Sequence, residues 1–442
     1  MKSPQIDLNK VKEVLKKLSF LKNNLALLVP ILIVLFSALL FIPTKLLSAR
    51  LQNTIQQQSV KTAADIDRLI REVAAAGQAQ ALEGYLNAYR KDPCDIAELM
   101  KQTTMRELLT YRIFPDTNET SPLLFDPVRR EYLAGVEAMI RRLGAGDPPS
   151  DGDIDAALAK SRGGRSIYGG GAVGGGVPGY GYGTGRNFRT MTEMDRRIVG
   201  KLCEDRARTL RLYASPADLD GYSFWSDWKF EDRKKAIRQS WYWQMAYWIL
   251  EDITDTIEQM NKNGTSVLDS PVKRIMAVSF TQSKQASRMI GGRRRGIRKA
   301  SLDQFPSYAI NLKTAMAAPP CTGRFCNEET DSMHFQLHVL VSADQVMPFI
   351  QELCSAKTHK FRGWYGEKPE QTFKHNQITV LESSIIPVDL EDPDHGSYRY
   401  GDESVVGLDL ICEYLFIKAG YEEVKPQEIK NDILGISDDE AN

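Results

Sequence analysis

The sequence predicts an α+β protein that begins with a single N-terminal transmembrane helix and a helical stalk. Three observations lead there. One is an uncharged apolar run close to the N-terminus, another is helical periodicity through the middle of the chain, and the third is strand-type alternation from about residue 265 onward.

The 442 residues allow two to four modules, and basic and acidic residues balance at 57 each, so charge gives no nucleic-acid signal. Six cysteines without a CxxC pair exclude a disulfide scaffold and a zinc knuckle. Leu25 to Ile42 is 18 residues with no charge, enough for a helix to span a bilayer core, and Pro30 is tolerable there. Six lysines against Asp7 and Glu13 precede the run, whereas Lys45, Arg50 and Lys61 are the only charges in the twenty residues after it. The lysine excess places the N-terminus in the cytoplasm and the bulk outside, with Leu25 to Ile42 in the lipid. A cleaved signal is the competing expectation, but the leading segment and apolar run are both long for one.

Five segments follow the basic tail (1–23) and the membrane helix (24–43). Residues 44–145 are expected to form a helical stalk, either a loose coiled coil or helices packed on their own domain, from the stripe Leu47, Leu51, Ile55, Ile66, Leu69 and Val73 and from later stripes such as Tyr132, Val136, Met139 and Ile140. Residues 146–187 are expected to be a flexible linker, since 12 of the 23 residues from Gly163 to Gly185 are glycine. The formal GxGxxG match at Gly169, Gly171 and Gly174 has no strand before it and no helix after it, and is discounted. Residues 188–264 are a Trp-rich helical region. Its long helix, Asp227 to Asn261, carries Ile237, Trp241, Met245, Trp248, Ile253, Ile257 and Met260 at a period near 3.6, so the rings read as packing core in preference to a stacking platform. Residues 265–424 form the α+β domain, and 425–442 an acidic tail.

Within the domain, Val272 to Phe280, His334 to Val341, Gln377 to Ile386 and Val405 to Phe416 have strand patterning. Leu408, Leu410, Cys412, Tyr414 and Phe416 are expected on the core face of the last one. A helix is expected after Ser342, with Ser342 and Gln345 as a capping box and Pro348 in its first turn. One helix over a half-polar sheet makes two layers.

This order of elements resembles the PilO family and its relatives PilN and GspM, bitopic inner-membrane components of type IV pilus and type II secretion machines. The strand FQLHVLV, a helix ending in ELCSA, then ITVLESSIIPV and LDLICEYLF, over residues 333 to 417, carry the resemblance. It implies a ferredoxin-like domain, a periplasmic bulk, a non-enzymatic scaffold role, and pairing with a second copy or with a PilN-like single-span protein. The chain is about twice the family's usual length.

No HExxH, GxSxG or Walker A sequence is present, so no catalytic residue, metal or cofactor is assigned. His334 and His338 would lie on the order of 13 Å apart along a strand, too far to share an ion, and are expected on a solvated face. Cys321 and Cys326 enclose the loop CTGRFC, where either a small disulfide ring or two free thiols are open. Arg293, Arg294, Arg295, Arg298 and Lys299 form the one dense basic cluster, a candidate contact for an anionic partner or a solvated loop. The competing function is a membrane-tethered sensor that grips an anionic polymer or glycan with this cluster and the Trp-rich helix.

Overall fold

The computed structural model describes residues 25–72, 79–115, 121–161, 191–281, 305–390 and 392–434. The basic tail, the glycine-rich stretch from 163 to 185 and the cluster Arg293, Arg294, Arg295, Arg298 and Lys299 lie outside them. The chain divides into two units, Met1–Cys94 and Asp95–Asn442.

The first unit is dominated by α1 (Leu25–Glu72), a helix of 48 residues and so about 72 Å long. The hydroxyls of Ser37 and Thr54 donate to the carbonyls of Ile33 and Arg50, one turn back, which satisfies them without a partner outside the helix. Among the described residues no helix is long and apolar enough to cross a membrane. Helix α2 (Ala79–Gln102) leads the chain into the second unit.

The second unit is mixed α and β. Its six-stranded sheet runs in the order β1 (Ala145–Gly146), β2 (Leu212–Tyr213), β3 (Val272–Ser279), β4 (Thr330–Ser342), β8 (Val405–Ile417) and β7 (Ile378–Pro387). The first two pairings are parallel and the rest antiparallel. The hairpin β5 (Lys357–Phe361) and β6 (Gln371–His375) forms a separate two-stranded sheet. The long pair β4 and β8 stays in register from Thr330 opposite Ile417 to Ser342 opposite Val405. One face presents Met333, Phe335, Leu337, Val339 and Val341 with Leu408, Leu410, Cys412, Tyr414 and Phe416, all buried.

Helices α3 (Asp126–Arg142), α4 (Asp151–Ser161), α5 (Glu193–Thr209), α6 (Tyr222–Asp227), α7 (Arg233–Met260), α8 (Val346–Leu353) and α9 (Gln427–Leu434) complete the unit. The side chain of Asp232 accepts from Lys235 N at 2.8 Å and so caps α7. This helix is buried on nearly every side, with Trp241, Trp243, Trp248, Met245 and Ile253 in one core with β4 and β8. Such all-round burial marks the central helix of a domain.

Four boundaries therefore move. A single core takes residues from both sides of 264, so the Trp-rich region belongs to the α+β domain. The stalk ends before α3, whose stripe of Tyr132, Val136, Met139 and Ile140 packs into that core. The linker begins with α4, which buries Ile154 and Leu158 against Val199 and Cys203 of α5. In the C-terminal tail Lys425 and Ile429 are buried, and α9 follows Pro426.

The ferredoxin-like arrangement is also corrected. That topology interleaves two helices as βαββαβ, whereas the described residues have one helix, α8, between β4 and β7, none over 305–329, and the order β3-β4-β8-β7. Ser342 caps no helix by its side chain. Its hydroxyl donates to Glu403 at 2.5 Å, and Pro348 is the third residue of α8.

Gly221 shows how tightly the core is closed. It sits at φ +91°, and a Cβ there would run into the Tyr132 hydroxyl and lie 2.7 Å from the Trp243 ring. Gly221→Ala is expected to cost about 1–3 kcal/mol from backbone strain and overpacking, read as a lower urea midpoint.

Candidate functional site

The most concentrated polar chemistry lies where five elements meet at the hairpin. After α2 the chain runs as an irregular strap, residues 103–115, across α7 and β5. From the strap comes Arg106, from α7 Glu251 and Asp252, from β5 His359, from β6 His375 and from β8 Tyr414. All but Glu251 are buried.

Arg106 Nη1 donates to both oxygens of Asp252 at 3.0 Å, while Nη2 donates to Glu251 at 3.0 Å. The Tyr414 hydroxyl donates to Asp252 Oδ2 at 2.8 Å and accepts from Arg106 Nη1 at 3.0 Å. His375 Nε2 lies 2.8 Å from the same Oδ2, the two histidine Nδ1 atoms are 2.9 Å apart, and His359 Nε2 is 2.9 Å from the Met105 carbonyl. Around this line, Arg362 grips Glu107 at 2.6 and 3.1 Å, Trp248 Nε1 donates to the Glu107 carbonyl at 2.8 Å, and Leu109 N donates to Gln244 at 2.7 Å.

The electrostatics follow from the geometry. Burial pushes the Asp252 carboxyl up, but Arg106, His375 and Tyr414 outweigh it and hold the group below the usual carboxylate range. For His359, burial leads and the charges of Arg106 and His375 add to it, pushing the imidazole down to about 3. Glu251 is displaced upward by burial, with Arg106 opposing and Asp252 and Asp255 assisting. Its side chain is 37% exposed, which argues for a smaller displacement than a wholly enclosed carboxyl would have. With its polar groups turned on one another, the cluster can fasten strap, helix, hairpin and sheet together.

A second buried group secures the segment that follows β8. Asp331 accepts from Lys425 Nζ at 2.6 Å and from the Tyr421 hydroxyl, and Trp241 Nε1 donates to Tyr308 beside them at 3.0 Å. Lys425 therefore belongs to the core, where its charge is paired.

The polar face of β4 and β8 is covered by residues 305–329. His334 is buried: Met316 N donates to its Nδ1 at 3.1 Å, and burial pushes the imidazole down to about 4. Glu413, opposite it in register, is also buried and accepts from Thr322 at 3.2 Å and Ser332 at 3.4 Å. The solvated face expected for His334 is corrected by this cover, while His338 is half-buried.

Cys321 and Cys326 are free thiols. Cys321 Sγ points to the Leu381 carbonyl of β7 at 3.5 Å, whereas Cys326 Sγ accepts from Ser332 N of β4 at 3.3 Å, so the loop directs the two sulfurs to different strands. Among the described residues no three His, Cys, Asp or Glu side chains converge to hold a metal ion.

Of the network residues the sequence marks only Tyr414, and that as a core side chain of the last strand, though one further signal is there. Asp252 continues the apolar stripe Trp241, Met245, Trp248 at i, i+4, i+7 and i+11, and an acid on a buried stripe demands partners. No family model, curated protein or solved structure matches the chain.

Proposed function

We propose that the protein is a non-enzymatic, membrane-anchored scaffold of an envelope machine of the pilus or secretion type, which pairs through α1 with a second copy or a PilN-like single-span protein. The observation that carries this is the exposed apolar stripe on α1: Leu47 is 66%, Leu51 63%, Ile55 55% and Ile66 51% exposed. A helix this long does not leave such a stripe in water without a partner. Anchoring is supported by the sequence Leu25 to Ile42, in the same helix. Its described side chains Val29, Ile33, Val34, Phe36 and Phe41 are exposed and, at about 100° per residue, spread over roughly 160° of the helix, a broad apolar face suited to lipid contact. The lysine-rich tail supports an N-in orientation at a bacterial inner membrane, with the bulk in the periplasm.

The rival sensor loses its aromatic platform, since Trp225, Trp241, Trp243 and Trp248 are all buried. Cysteine cross-linking in native membranes tests the scaffold. Leu51→Cys is expected to link α1 to its partner helix several-fold faster than Gln52→Cys, one residue off the stripe. Equal rates at the two positions would sink the pairing, and a reporter fused after Asn442 that is active in the cytoplasm would sink the orientation.

A further inference from the structure

The line of contacts from Asp252 through His375 and His359 to the Met105 carbonyl has a fixed proton count. Three contacts of 2.8, 2.9 and 2.9 Å each need one proton. The two ends, a carboxylate and a carbonyl, only accept. Two neutral imidazoles supply two protons, so a third must be present. It does not belong on Asp252, because Oδ2 already accepts from Arg106 and Tyr414 and the guanidinium favours the carboxylate. Of the two imidazoles, His375 lies against that carboxylate. His359 faces a neutral carbonyl and is disfavoured as a cation by burial and by Arg106.

We propose that this protein stores one proton in its core as a doubly protonated His375, and that this proton latches the β5–β6 hairpin to α7 and to the strap. His375 then donates from Nε2 to Asp252 and from Nδ1 to His359, and His359 donates from Nε2 to Met105. Without the proton, three contacts share two hydrogens and one becomes an acceptor facing an acceptor. The charges around the pair are Arg106 and Glu107 of the strap, Glu251, Asp252 and Asp255 of α7, Lys357 and Arg362 at the hairpin, Glu352 of α8 and the Tyr414 hydroxyl of β8. Arg106 and Lys357 oppose the cation, whereas Asp252 touches it. Phe361, Trp364 and Phe373 still hold the hairpin by packing, so loss of the latch loosens it locally.

The test uses the full-length protein with His375→Gln and His359→Gln, followed by hydrogen exchange in peptides from 103–115 and 357–375. A glutamine at 359 can accept from His375 and donate to Met105, which keeps the line intact. A glutamine at 375 cannot donate on both sides. His375→Gln is therefore expected to speed exchange in both peptides by about tenfold or more, and His359→Gln by about twofold or less. The reverse order would put the proton on His359 and overturn the assignment. Equal effects, large or small, would make the pair simple packing and overturn the latch, as would wild-type protection that rises on adding zinc. Should His375→Gln fail to fold, nitrogen spectra of histidine-labelled wild type decide. One ring must carry protons on both nitrogens at neutral pH and lose that signature in none of the single variants at the other three histidines; no such ring would overturn the proposal.

Discussion

Asp252→Ala is expected to destabilise the second unit by about 3–5 kcal/mol, because it strips the counter-charge from a buried guanidinium and leaves two further donors unpaired. Asp252 accepts from Arg106, Tyr414 and His375 at 2.8–3.0 Å, and Arg106 has only the rim carboxylate of Glu251 to fall back on. Asp252→Asn separates charge from shape: it fills the same space but cannot neutralise Arg106, so it should recover only part of the loss. All six tryptophans lie in this unit, so fluorescence-detected urea unfolding of the whole chain reports on it selectively. A loss under 1 kcal/mol for alanine would show that the network contributes little. The pH dependence has a definite sign. The folded carboxyl is depressed relative to the unfolded one, so its contribution is complete above the ordinary carboxylate range and disappears as pH falls below it.

The parts of the fold that could be read from the sequence are those set by local pattern. Alternation along Val405 to Phe416 fixed which residues face the core, because a strand has only two faces and one of them is all apolar. The stripe in α3 was equally visible, yet its partner was not. Tyr132, Val136, Met139 and Ile140 fit a stalk as well as a core, and only the tertiary arrangement brings α7 against them. The hairpin β5–β6 escaped notice because its strands KTHKF and QTFKH are polar at most positions, so that only Phe361 and Phe373 suggest burial. The network was hardest of all. Arg106 and His375 are 269 positions apart in the numbering, and nothing in either neighbourhood marks a buried charge. His334 was misplaced because an alternating strand predicts two faces but not whether a loop will cover the polar one, as Met316 and Thr322 do here.

Acidification is expected to weaken the unit through two buried neutral imidazoles. His334 is held down to about 4 and His359 to about 3, each principally by burial, against roughly 6.5 in the unfolded chain. Between those values the unfolded state binds the more protons, so the stability contributed by each neutral imidazole is present above about 6.5 and is lost as pH falls toward the folded value. At about 1.4 kcal/mol per unit of displacement, the two together should remove on the order of 5 kcal/mol by pH 4. Glu413, which burial pushes up against Arg324's opposing charge, acts in the other direction and trims that loss. At His334 the structural cause is specific: protonation of Nδ1 would abolish the acceptor for Met316 N and place a cation under residues 305–329. His334→Gln keeps an acceptor for that amide and cannot titrate. Its stability at pH 7 should therefore stay within about 1 kcal/mol of wild type, while its loss between pH 6.5 and 4 should be roughly half as large. Urea midpoints collected across that range for both proteins decide the matter, and superimposable pH profiles would mean that His334 is solvated after all.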